Sequence, residues 1–364
     1  MKKRLLVFHR NIAPYRIDFF NSLNKEFEMR ICLFYSNLTS QKFNYKELEQ
    51  RFEFSPKYLL DRYFANIKKG IISEIQLFRP DIVLVSETSD YSIIATAYRY
   101  FSKKKYKVVS IVDDSYNMIA QGNHFTLRHK ILEKLLFPFY DDIICVEPRV
   151  ESYIKKKWGK GIFFPIIQND KCFISQIKQA LPLSKQIVED YGIMEKKILL
   201  FVGRFVELKN MGRVIQAFKQ IDRKDFLFIL IGDGPCMQEW KDLSGNARNI
   251  LFVGRKEGRE LLAWYNIADL FILASTQEAF GAVTNEALMS GCRVIVSSKA
   301  GSQCLVGNGN GVIVDPFNDK DIKDKIIYML DNTNSRNIGK LRPNNMIFNY
   351  YDLFNSLRER LYNL

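Results

Sequence analysis

STQEAFGAVTNEALMSG, residues 275–291, is the stretch on which the reading of this chain turns. The residues before it, Asp269 to Ala274 (DLFILA), are an apolar run that predicts a buried strand. Glu278-Ala279-Phe280-Gly281 then predicts a tight loop. Val283, Ala287 and Leu288 fall on one face of a helix that begins near Ala282 and is stopped by Gly291. A strand, a loop of small residues and a helix aim free backbone N–H groups at whatever sits above the strand. The N-terminus of a helix carries about half a positive charge, so phosphate is its natural guest. Glu278 and Glu286 frame that position. A carboxylate is a poor ligand for phosphate but a good acceptor for sugar hydroxyls. Phosphate in the middle with hydroxyl acceptors on either side is the outline of a nucleotide-sugar. The plain reading of the same glutamates is a helix-start charge and a solvated side chain.

Length and composition set the bounds. The 364 residues suffice for two domains of ordinary size, with the composition of a globular protein. No segment has the ~18 uninterrupted apolar residues of a membrane span. The opening MKKRLLVFHR puts charge before only a short apolar run, Leu5 to Phe8, so it predicts a first strand and not a signal peptide. A cytoplasmic protein is expected. The six cysteines are scattered without a C-x-x-C pair and predict reduced thiols, and the three histidines lack metal-ligand spacing, so no metal is expected. The net charge of +14 is uneven: residues 1–175 hold 29 Lys/Arg against 19 Asp/Glu, the remainder 25 against 21. Such a basic half suits an acidic substrate or an anionic membrane surface. No basic motif interleaved with aromatics appears, so nucleic acid is not expected as a partner.

Along the chain, strands are predicted at 4–8, 29–35, 81–87, 107–112 and 142–147, alternating with helices at 15–23, 67–78, 91–101, 124–140 and 150–158. Residues 36–60 read as irregular. Residues 159–190 change character and read as a linker. The alternation restarts with strands at 197–202, 226–231, 250–253, 269–274, 293–297 and 312–314, helices at 214–218, 260–266 and 319–330, a polar, weakly ordered stretch to about 345 and a last helix at 350–362. Strands alternating with helices mean parallel sheets covered on both faces. The expectation is two doubly wound, Rossmann-like α/β domains facing across a cleft: residues 1–175, rejoined by the last helix 346–364, and residues 176–345. In such sheets ligands bind beyond the carboxyl ends of the strands.

The second half gives one ligand picture. Gly203-Arg204 follows a strand, and Lys209 lies on the same loop. Arg offers a fork and Lys a point charge to a diphosphate. Gly232-Asp233-Gly234-Pro235 follows another strand and lets the chain pass close to a ligand. Taken together, FVGRFVELKN at 201–210, IGDGP at 231–235, AWYNIADLFILAS at 263–275, QEAFGAVTNEALMSG at 277–291 and GNGVIVDP at 309–316 resemble the family 4 glycosyltransferases, retaining nucleotide-sugar enzymes of GT-B architecture. The resemblance spans roughly residues 197–330; the first half shares only the architecture and the opening NIAPYRIDFF.

The resemblance implies roles residue by residue. Arg204 and Lys209 would hold the donor pyrophosphate and stabilise the charge that grows on it. Glu278 would hold hydroxyls of the donor sugar and Glu286 those of the ribose. Gly203, Gly232 and Gly234 would line the donor, with the backbone N–H groups of Phe280, Gly281, Ala282 and Val283 completing the phosphate cradle. The implied co-substrate is a UDP- or GDP-linked sugar, with no cofactor and no metal. Many family members have a histidine where this chain has Asp113. Asp113, Asp114 or Glu87 would then take the acceptor's proton, and the acceptor would be a saccharide or a lipid-linked one, as in cell-surface polysaccharide synthesis. A nucleotide-sugar epimerase and a non-catalytic binder on the same architecture are the alternatives. Lys103 to Lys105 with Lys107, Lys155 to Lys157, and a helix carrying Arg128, His129, Lys130 and Lys134 beside Leu127, Ile131, Leu135 and Phe137 offer an anionic membrane a peripheral docking surface.

Overall fold

The protein is described from a computed structural model, which covers residues 2–35, 45–59, 64–121, 125–333 and 338–364. The chain divides into two compact units, one formed by Met1–Ile167 with Tyr350–Leu364, the other by Gln168–Asn349. Among the described residues no helix is long and apolar enough to cross a membrane.

The first unit is built on seven parallel strands: β1 (Arg4–His9), β2 (Glu28–Leu33), β3 (Lys57–Tyr58), β4 (Ile82–Ser86), β5 (Lys107–Val112), β6 (Asp142–Cys145) and β7 (Ile162–Phe163). Their order is β3-β2-β1-β4-β5-β6-β7. The central strands are continuous apolar runs because helices cover both faces. The second unit has six: β8 (Lys197–Val202), β9 (Phe226–Ile231), β10 (Ile250–Gly254), β11 (Leu270–Leu273), β12 (Arg293–Ser297) and β13 (Gly311–Val314), in the order β10-β9-β8-β11-β12-β13. Every residue of β9 and of β11 is buried. In both sheets the order reverses once, between β1 and β4 and between β8 and β11. At such a point the loops leaving the two strands diverge and open a crevice above the sheet.

Three expectations are corrected. Residues 159–190 are no linker: a helix runs from Asp170 to Tyr191. Asn169 caps it, accepting from Lys171 N at 3.0 Å and Cys172 N at 3.3 Å, and Gly192 ends it in the left-handed region. Phe173, Ile177, Ala180, Ser184, Ile187 and Val188 form its buried face. Pro182 lacks an amide and reads as a break, yet it lies on the exposed side of this helix. Residues 36–60 are not wholly irregular. Their described part holds the helix Tyr45–Glu49 and the edge strand β3, while 36–44 lie outside the described residues. The described part of the stretch before the last helix lacks regular structure but is pinned and not weakly ordered. Arg342 donates to Ser290 O (2.8 Å), Ala268 O (2.7 Å) and Tyr265 O (2.6 Å), and Asn345 Nδ2 to Gly291 O and Cys292 O.

The Arg342 fork therefore ties the segment crossing back towards Tyr350 to carbonyls at the ends of two helices, Gly258–Ile267 and Val283–Met289. Arg342→Ala leaves these acceptors without their charged donor. A loss of about 2 kcal/mol is expected, read as a lower midpoint in urea; an unchanged midpoint would show that water replaces the guanidinium freely.

Candidate functional site

At the reversal point of the second sheet, the loops that follow β8 and β11 are joined. The loop 203–210 is held at its far end: Asn210 Nδ2 donates to Ala274 O (3.1 Å) and Pro316 O (2.8 Å), and Thr276 N donates to Leu208 O (2.9 Å). This brings Lys209 Nζ onto Glu278 Oε2, an ion pair only 16 and 18% exposed. Ser275 Oγ donates to the same Oε2 at 3.3 Å. Oε1 of Glu278 has no partner among the described residues, and the Lys209 ammonium has further N–H bonds to give. Arg204 stands exposed on the same loop, without an ion pair among the described residues.

The β11 loop is braced from the other side. Glu278 and Ala300 form a parallel β-bridge, Ser302 N donates to Phe280 O (2.8 Å), and the Thr284 and Ser302 hydroxyls lie 3.0 Å apart. Gly281 has φ +95°, and a Cβ there would meet Leu273 Cδ2 at 2.5 Å. Glycine alone fits that turn. The helix Val283–Met289 starts just beyond it. The amides of Gly281, Ala282 and Val283 have no hydrogen-bond partner among the described residues, as the first turn of a helix leaves them.

Glu286 lies on the buried side of this helix start. Its Oε1 accepts from Gln168 Nε2 and its Oε2 from the Tyr265 hydroxyl, each at 3.1 Å. Burial and the neighbouring Glu286 carboxylate push the Tyr265 phenol far above its usual pKa, so it remains a donor. Asn285 Oδ1 accepts from Gln168 N at 3.0 Å, which fixes the residue that orients Glu286. Neither Gln168 nor Tyr265 stood out in the sequence. Tyr265 lies in the AWYN stretch, but a buried aromatic there reads as core.

Gly232 and Gly234 admit a neighbouring loop. A Cβ on Gly232 would lie 1.9 Å from Gly203 O, and one on Gly234 2.4 Å from Phe205 O. Phe205 N donates to Asp233 O (2.6 Å) and Cys236 N to Phe205 O (2.9 Å). The β9 loop thus sets the course of the loop bearing Arg204.

Asp113 belongs to the first unit, where it follows β5. It pairs with Arg16, a guanidinium 2% exposed whose Nε and Nη1 have no hydrogen-bond partner among the described residues. The sequence offered Arg16 only as part of NIAPYRIDFF. Beside it, Glu87 accepts from Asp113 N (2.9 Å). Burial and then the Asp114 carboxylate push Glu87 well above the usual carboxylate range, and burial with Asp113 brings Asp114 up to about 6. The Glu87 and Asp114 carboxyls lie close enough that charging both is disfavoured. Donor atoms of Glu87, Asp114 and His129 lie within 4.8 Å of one another, the described residues whose geometry suits a metal ion.

Comparison with known proteins defines the class. Residues 184–341 match the family of glycosyl transferases group 1. An uncharacterized glycosyltransferase of Methanocaldococcus jannaschii is 24% identical over 302 residues, 74% of each chain. The N-acetyl-alpha-D-glucosaminyl L-malate synthase of Bacillus anthracis is 33% identical over 164 residues, 43% of this chain and 42% of its own. Among solved structures, Anabaena HepE in complex with UDP and glucose superposes with a TM-score of 0.75 at 16% identity, over the whole of both chains. The fold is that of GT-B glycosyltransferases. The chain is a glycosyltransferase.

Two substitutions examine this geometry. Gly232→Ala sets a methyl against the Gly203 carbonyl, and a loss of more than ~2 kcal/mol is expected; a variant as stable as the parent would show that the two loops are free to part. Asp114 ionises near pH 6 in the folded chain and near 4 when unfolded. Its folded form therefore holds the proton longer, so its favourable contribution, complete at low pH, is lost as pH rises from 4 through 6. Asp114→Asn is expected to flatten that slope and to raise stability at pH 7 by on the order of 1 kcal/mol or more, measured by urea unfolding across this range.

Proposed function

We propose that the enzyme is a retaining glycosyltransferase of family 4 that works in the cytoplasm. It moves a sugar from a UDP- or GDP-linked donor to a saccharide or lipid-linked acceptor in cell-surface polysaccharide synthesis. The observation that carries this reading is the Lys209–Glu278 pair, held at the reversal point of the second sheet beside the unpartnered amides of residues 281–283.

In this reading the donor's diphosphate lies on those amides, with Lys209 and Arg204 as its cations. When the bond from the anomeric carbon to the β-phosphate oxygen breaks, the electron pair stays on that oxygen. Both cations are already in place for the new charge and need no reorganisation. The phosphate is neutralised by side chains and main chain, so no metal is needed there. Glu278 offers its free Oε1 to a sugar hydroxyl while Lys209 and Ser275 hold Oε2. Glu286, oriented by Gln168 and Tyr265, accepts from the ribose. The acceptor hydroxyl's oxygen bonds to the anomeric carbon on the face the phosphate leaves. Asp113, with Arg16 beside it, is the carboxylate proposed to take its proton. Glu87 is a poorer base because it keeps its own proton.

A donor panel followed by thermal shift selects the nucleotide. With that donor, Lys209→Ala and Glu278→Ala are each expected to lower kcat/KM for nucleotide release by about a hundredfold or more. The Lys209 loss falls mainly on kcat, since its partner is charge that appears only as the bond breaks. Unchanged release in both variants would remove this site assignment.

A further inference from the structure

The helix Leu127–Leu136 and the short turn Phe137–Phe139 that continues it turn an apolar ridge to solvent. Leu127, Ile131, Leu135 and Phe139 recur every fourth residue and are 74, 49, 57 and 48% exposed. Each four-residue step advances only about 40° beyond a full turn, so along the helix these side chains lie on one slanting line. The helix meets the first unit's core elsewhere, through buried Leu136 and partly buried Leu132. Phe137, expected on the outer face, is 3% exposed and belongs to that core. Single large apolar residues on a surface are ordinary, whereas a ridge of them on a helix already seated on its core marks a surface that something covers.

The surrounding charge says what covers it. The helix carries one carboxylate, Glu133, and Lys157 takes it at 3.1 Å. Asp90 on the adjacent helix is taken by Arg128. Lys130 and Lys134 are exposed and make no ion pair among the described residues. At the far end, Arg99 holds Asp141 at 2.8 Å, just past Phe139. These two ion pairs, Arg128–Asp90 and Arg99–Asp141, link the two ends of the helix Asp90–Tyr98 to the segment that carries the ridge. Tyr100 and Phe101, 56 and 80% exposed, directly follow Arg99, which is held at the Phe139 end by Asp141.

We infer that this ridge is a docking site for an anionic lipid bilayer. Leu127, Ile131, Leu135 and Phe139 enter the boundary between headgroups and acyl chains, as the apolar face of an interfacial helix does. Tyr100 and Phe101 lie at headgroup depth, where aromatic rings are at home. Lys130 and Lys134 extend their apolar stems beside the ridge and set their ammonium groups against lipid phosphate. A second copy of this chain fits less well. A two-fold contact centred on the ridge sets cations against cations, and like charges facing each other disfavour association. The inference concerns the first unit and none of the residues assigned to the donor.

The test is co-sedimentation of the full-length protein with vesicles of phosphatidylcholine alone and of phosphatidylcholine with phosphatidylglycerol. Binding to the anionic vesicles is expected to exceed binding to the neutral ones by about tenfold or more, and to weaken with salt. Ile131→Ser with Leu135→Ser is expected to abolish most of it, and Lys130→Gln with Lys134→Gln to remove the preference for the anionic lipid. Thermal melting and donor-induced thermal shift like those of the parent show that each variant is folded and keeps its donor site. A parent that stays in the supernatant with both vesicles, or an apolar variant that sediments like the parent, overturns the inference. So does a parent that light scattering shows to be a dimer and that the apolar variant makes a monomer. The donor-site assignment survives either result, because it is read by nucleotide release.

Discussion

The adjacency of β8 and β11 is the constraint on which the second unit's chemistry rests. These strands lie far apart in sequence, yet Leu270 and Leu199 are directly paired. Their pairing lets the loops at their carboxyl ends meet, and the meeting is sealed by one ion pair, Lys209 to Glu278. A pair this shielded offsets its desolvation only when both partners are well hydrogen-bonded. Here Ser275 supplies one such bond, and an incoming ligand can supply others to the free N–H and Oε1. The interaction therefore joins the two loops while leaving an N–H and Oε1 without partners among the described residues.

Rigid surroundings make that economy possible. The loop that follows β8 is pressed against the loop that follows β9 at Gly203 and Gly232, and the loop that follows β11 is strapped to the Ala300–Ser302 segment. Below them the Phe201, Phe205 and Trp240 rings meet at centroid distances of 4.9 to 6.4 Å. Close packing of this kind transmits position: a side chain on such a loop has few alternatives to the place it occupies. The first unit treats its own carboxyl edge differently. There a buried guanidinium and two carboxyls whose burial disfavours their charged forms crowd the ends of β4 and β5.

How much of this was visible in the sequence follows from the range of each interaction. The strands were legible because a buried parallel strand is an unbroken apolar run. Lys209, Glu278 and the glycines were legible because they sit in short patterns around strand ends. Gln168 was not, because its partners Asn285 and Glu286 lie more than a hundred residues away and nothing local marks it. The Asp170–Tyr191 helix was misread because Pro182 reads as a stop. Its inner face also uses Ala180 and Ser184, small residues that bring it close enough for Ser184 Oγ to reach Ala263 O at 3.3 Å. Arg16 escaped for the opposite reason: an arginine on a helix start reads as surface, and only the fold shows it buried beneath Asp113.

The last helix, Tyr350–Tyr362, belongs to the first unit although the whole second unit precedes it. Tyr350 donates to Asp18 O at 3.0 Å, Tyr350 and Phe354 pack on Phe164, and Arg360 pairs with Asp142, a carboxylate with no exposure at all. As the chain leaves the ribosome, the N-terminal sheet can begin to form, but the cation for Asp142 follows it 218 residues later. Domains that are contiguous mature in the order of synthesis. Here the first unit waits for a helix that follows the whole second unit, so the unit made second is the one able to finish first.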